Sequence, residues 1–148
     1  MAYQIEAFIG KEESLQLLAA AYPAVRLVAL EQGLYLAPMT PEVFRALNGE
    51  DEHPDVGSFM KMTVEVERSV RATIGGALLG YIEADYFGGS GGQQGIVWKD
   101  GRRIDLEQGH GAINSVLWRL GVQALEGQDR FESVGLDRER GTDDWLSG

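Results

Sequence analysis

Apolar residues in this chain come in short runs whose spacing switches between two and about 3.6 residues, and each run ends at a proline, a glycine or a polar cluster. Spacing of two suits a strand with one buried face and 3.6 suits a helix with an apolar stripe, so the chain must fold as mixed helix and sheet. AYQIEAFIG alternates and reads as a strand, while KEESLQLLAAAYP sets Leu15, Leu18, Ala19 and Tyr22 on one helical stripe that Pro23 stops. VRLVAL and LYLAPM flank EQG, which predicts a hairpin with Gly33 in its loop.

TPEVFRALNG carries a helix start and stop. Thr40 is a cap, Pro41 fits the first helical position, Glu42 suits the positive end of the dipole, and Asn48 and Gly49 close the segment. Residues 59–75 hold both periods: Met60, Met62, Val64 and Val66 alternate, whereas Val66, Val70 and Ile74 recur every four residues. We assign helix from Thr63, which can cap it, to Gly75 and Gly76, which can end it. ALLGYIEADYF and GIVWKDGRRIDL supply two or three strands, with Asp100 and Gly101 as a turn between GIVWK and RRIDL. In GAINSVLWRLGV the stripe Ile113, Val116, Leu117 and Leu120 predicts a core helix ended by Gly121.

Residues 122–148 mix charges of both signs with isolated Phe131, Val134, Leu136, Trp145 and Leu146, which predicts an irregular tail laid back over the domain. Arg138 and Arg140 alternate there with Asp137, Glu139, Asp143 and Asp144, a pattern suited to charge-assisted hydrogen bonds. Exposed ion pairs contribute only about 0–1 kcal/mol each, so burial of Trp145 and Leu146 must supply most of the anchoring. No repeat or long linker divides the 148 residues. The expected architecture is one α+β domain, with a mainly antiparallel sheet of about five strands packed by three or four helices.

Composition narrows the chemistry. Without cysteine there is no disulfide, thiolate nucleophile or thiolate-bound zinc. His53 and His110 have no metal-ligand spacing around them. No cofactor is implied. The N-terminus has no basic region followed by an apolar core, and no window approaches a membrane span, so the chain reads as soluble and cytoplasmic with no membrane partner. A formal charge of -10, from 23 acidic against 13 basic side chains, would repel a phosphate backbone, which argues against nucleic acid; it would steer a basic protein partner, although solubility is the commoner reason for such a balance.

Three stretches are candidates for function. YFGGSGGQQG has five glycines in ten positions. It fails the dinucleotide fingerprint because Gln94 stands where a third glycine is needed, and no Lys and Ser or Thr pair follows as a phosphate loop requires. Gly88, Ser90 and Gly92 do match the nucleophile elbow of hydrolases, with Asp105 and His110 in the matching chain order, yet the residues after it read as strand and too little chain follows. The glycines are therefore read as a flexible connection between two strands. Glu83 and Asp85 share one side of a strand with Cα atoms roughly 7 Å apart, a separation compatible with acid and base work in a small hydrolase. The stronger reading is that they mark the solvated or partner-facing side of a sheet whose other side carries Leu78, Ile82, Ala84 and Tyr86. The turn-rich EDEHPD is the densest charge in the chain, which makes Glu50, Asp51, Glu52 and Asp55 the first place to look for contact with a basic partner.

YIEADYFGGSGGQQGIVW, INSVLWRLGV and DRFESVGLDRERGTDDWL, within residues 81–146, together resemble a group of small bacterial proteins, some of which look like immunity proteins of polymorphic toxin systems. The resemblance implies a non-enzymatic inhibitor that binds a cognate basic toxin and occludes it. Tyr86, Phe87 and Trp98 would then be candidate anchors beside the acidic groups.

Overall fold

The computed structural model describes residues 2–88 and 90–146. Its centre is a six-stranded antiparallel sheet in the order β2-β3-β1-β4-β5-β6, made of β1 (Ala2–Lys11), β2 (Val28–Ala29), β3 (Leu34–Pro38), β4 (Leu79–Phe87), β5 (Ser90–Lys99) and β6 (Arg102–Gln108). The predicted α+β class and the antiparallel sheet hold, with one strand more than expected.

Three helices lie on one face: α1 (Glu12–Ala21), α2 (Pro41–Asn48) and α3 (Val64–Ile74). Their starts are local chemistry. The Thr40 and Thr63 hydroxyls accept from the backbone N–H of Val43 and Val66, and Gly49 and Gly75 end the two helices at positive φ. The mixed pattern of residues 59–75 thus resolves as helix from Val64, as the cap at Thr63 predicts. These helices bury Leu15, Leu18, Val43, Leu47, Val66 and Val70 against Phe8, Tyr81, Ile96 and Trp98 of the sheet.

The opposite face carries α4 (Ala112–Arg119), α5 (Arg130–Val134) and the C-terminal segment, which bury Ile113, Val116, Leu117, Val134, Leu136 and Trp145 on Ile5, Ile9, Ile82 and Val97. The sheet is therefore covered on both sides. This corrects the expectation of a solvated side at Glu83.

The tail also has more order than predicted. Asp129 and Glu132 form a capping box that starts α5, and two 3-10 turns follow, Leu136–Arg138 and Thr142–Leu146. It bonds back to the strands and their loops: Gln4 N–H donates to the Arg140 carbonyl, Glu31 N–H to the Val134 carbonyl, and Gln32 exchanges two bonds with Gln123. Arg138 acts through carbonyls and a ring, donating to Gly135 and Ala29 while its guanidinium sits 5.5 Å from the Trp145 ring centroid. Trp145 is buried.

The glycine stretch is chiefly strand. Phe87 pairs with Ser90, and Gly91, Gly92 and Gly95 lie within β5. Their roles differ. A Cβ on Gly91 would come within 1.9 Å of the Asp85 carbonyl and one on Gly95 within 2.4 Å of Val116 Cγ2, whereas Gly92 has open space around it. Gly80 makes the same allowance as Gly95, since its Cβ would meet Val116 Cγ1 at 2.8 Å. Two missing side chains thus let α4 approach the sheet closely.

Candidate functional site

Residues 57–61 cross the helical face near β4 without joining the sheet, so their backbone N–H groups need other acceptors. Phe59 N–H donates to the Val56 carbonyl, and Glu83 serves the next two residues. Its carboxylate accepts from Met60 N–H at 2.7 Å, Lys61 N–H at 2.8 Å and the Tyr81 hydroxyl at 2.6 Å. Gln94 adds a bond to the Ser58 carbonyl, and Phe59 plugs the core as the apolar anchor of the strap.

Register sets Glu6 of β1 directly opposite Glu83, and both carboxylates are buried, at 1% and 2% exposure. Like charges facing each other across a strand pair are destabilising. Lys61 offsets this: its backbone serves Glu83 while its ammonium lies 3.3 Å from Glu6 Oε1, and Gln4 donates to the other Glu6 oxygen at 2.8 Å. Burial pushes the Glu83 carboxyl above its usual value, against the hydrogen bonds from Tyr81, Met60 and Lys61, and Glu6 adds to the rise. Burial and the neighbouring Glu83 likewise hold the Tyr81 hydroxyl protonated.

Around this strap lie three concavities that share walls. The largest, about 600 Å³, is rimmed by Glu50, Asp51, Glu52 and Asp55. A second of about 300 Å³ holds Glu6, Asp143 and Asp144, and a notch of about 40 Å³ holds Glu83 and Asp85. Pro41 and Lys61 belong to both larger hollows, and Met60 to the first and the notch. Seven exposed carboxylates therefore converge on one face, with Glu6 and Glu83 buried beneath them, against two permanent cations, Arg45 and Lys61. Met60, 48% exposed, is its apolar centre.

The predicted residues divide accordingly. Glu50, Asp51, Glu52, Asp55 and Asp85 meet on this face, with Glu83 beneath it as a positioning group rather than a surface charge. Phe87, at the end of β4 on the Asp85 side, is 77% exposed and available as an anchor. Tyr86 is not, since strand alternation sends it to the opposite face, where its ring stacks on His110. Trp98 is fully buried and donates to Glu67, so it is core and not contact surface.

Ser90, Asp105 and His110 do not assemble. Asp105 pairs with Val97, seven residues along β5 from Ser90, roughly 23 Å by strand rise. It is held by Arg119 at 3.0 Å. Gly89, part of the same motif, lies outside the described residues. His53 lines the largest hollow while His110 lies on the far face.

Glu6, Lys61 and Met60 carry the site and were not singled out from sequence. Parity did hold a clue to Glu6, which shares a strand side with Phe8 in an otherwise apolar run. Comparison with known protein families, curated proteins and solved structures returns no match.

Proposed function

We propose that this chain is a non-enzymatic inhibitor of the immunity type, which binds a cognate basic toxin and occludes it with the acidic face around Met60. The supporting observation is the convergence of seven exposed carboxylates on a surface whose covering strap is fixed from below by the buried Glu83. A pre-set surface loses little freedom on binding, which favours affinity. Complementary charge speeds encounter, while Met60 and Phe87, apolar and accessible, serve as anchors that exclude water at the centre and edge. Rim carboxylates such as Glu52 and Asp85 then govern association rate and its salt dependence.

The test is co-purification with the product of the adjacent gene, followed by kinetics of the isolated pair. Charge reversal of Glu52 and Asp85 together should slow association at least about tenfold at low salt and flatten its salt dependence. Met60→Ala should instead speed dissociation. Binding that is indifferent to all three changes would remove the acidic face from the interaction.

A further inference from the structure

On the face opposite the acidic surface, a cavity of about 250 Å³ opens between the end of the sheet and α4 and α5. Its walls include three aromatic rings, Tyr3, Tyr86 and Phe131, and one charged group, Asp129. No lysine or arginine lines it among the described residues. The volume is below the roughly 300–1,000 Å³ of pockets that hold a whole drug-sized ligand, so it suits a headgroup or a single side chain.

Every wall is fixed by contacts of its own. Tyr3 donates to the Leu136 carbonyl at 3.0 Å and meets Phe131 edge-on at 5.4 Å. Burial, with Asp137 nearby, holds its hydroxyl protonated. The Tyr86 hydroxyl receives the Gln93 amide at 3.1 Å, and Gln93 accepts from Ile113 N–H with its oxygen. Asn114 donates to Asp129 at 3.1 Å and accepts from Phe131 N–H at 2.8 Å. The amides are thus engaged within the wall. The Asp129 carboxylate accepts only from Glu132 N–H and Asn114, one bond per oxygen, and has no ion-pair partner among the described residues.

What remains available to a ligand is aromatic ring surface, apart from the side of Tyr86 that stacks on His110, and a carboxylate with spare lone pairs. That combination repels anions and attracts a soft, weakly hydrated cation, because ring quadrupoles stabilise positive charge spread over methyl groups that cannot hydrogen-bond. We propose that this cavity binds an alkylated ammonium group, carried either by a small molecule or by a methylated lysine of another protein. The site is independent of the inhibitor reading, since it lies on the other side of the sheet and shares with the acidic face only Ala84 and none of its charged groups.

The probe is choline, followed through the NMR shifts of the Gln93 and Asn114 side-chain amides, against its uncharged carbon isostere 3,3-dimethylbutan-1-ol. Choline should saturate, with the isostere at least about tenfold weaker. Asp129→Asn keeps an oxygen to cap α5 and removes only the charge, so it should weaken choline about tenfold with an unchanged melting temperature. Phe131→Leu keeps apolar bulk without the ring and should weaken choline but not the isostere. A peptide bearing trimethyllysine separates the two sources: tighter binding than choline points to a protein tail, weaker binding to a free molecule. Failure of choline to saturate, or an isostere that binds as well as choline, overturns the proposal.

Discussion

Against one face of the sheet the first three helices and their connections bury Glu6, Ser14, Asn48, Thr63, Glu67, Ser69 and Glu83, while the tail and α4 on the other face bury one polar side chain, Ser133, among the described residues. The first layer is held by hydrogen bonds that must all be made. Asn48 accepts from the Thr63 hydroxyl and donates to the Asp51 carbonyl, Ser69 donates to Leu47, and Glu67 takes Trp98 and Arg103 together. The second layer is held by shape, with Val116 seated over Gly80 and Gly95. Buried polar groups fix a segment only in the arrangement that satisfies them, whereas apolar contact tolerates sliding, so the polar layer is where a loop such as 57–61 can be fixed in place for binding.

If the polar layer depends on complete pairing, its greatest weakness is at Glu67. Glu67→Ala leaves the Trp98 indole N–H buried without an acceptor and takes both carboxylate oxygens from Arg103. The expected loss is about 3 kcal/mol, held down because Arg103 still reaches solvent. Denaturant unfolding measures it, and a loss under about 1 kcal/mol would show that the layer does not rest on its polar bonds.

The apolar layer is tested within a single motif. Gly95→Ala drives a methyl into Val116, a stiff buried neighbour, and should cost about 1–3 kcal/mol. Gly92→Ala, in open space three residues away, should change stability by no more than about 0.5 kcal/mol. Equal effects at the two positions would mean that backbone freedom, rather than the approach of α4, is what these glycines provide.

The same contrast explains what the sequence could convey. Caps at Thr40 and Thr63, the turn at Asp100 and Gly101, and the acidic stretch 50–55 are local chemistry, and each sits where the residues place it. The capping box of α5 was equally local: Asp129 followed three residues later by Glu132 announces a helix inside a stretch whose mixed charges read as irregular. The glycine stretch misleads because its composition matches a loop, while the need for Gly95 comes from α4, a helix distant in sequence. Glu83 misleads for the same reason. Strand parity correctly sets it on the side of Asp85, yet nothing within β4 reveals that Met60 and Lys61 cover it or that register brings Glu6 opposite.

The finest division lies between two buried glutamates of the same layer, and pH should separate them by sign. Burial pushes Glu67 up, but hydrogen bonds from Arg103 and Trp98 outweigh it and hold its carboxyl below the ordinary value of 4.5. Its contribution is therefore present above pH 4.5 and is lost as pH falls through its folded value. For Glu83 burial prevails and the folded value lies above 4.5, so its contribution is complete below that pH and diminishes as pH rises through the folded value. Glu83→Gln retains one carbonyl acceptor for the strap and should cost only about 1 kcal/mol near neutrality. That cost should be larger near pH 4 and shrink as pH rises, whereas the cost of Glu67→Gln should grow over the same rise. Parallel pH profiles for the two variants would mean that Lys61 neutralises the Glu6 and Glu83 pair as fully as Arg103 neutralises Glu67, and the distinction between the two carboxylates would disappear.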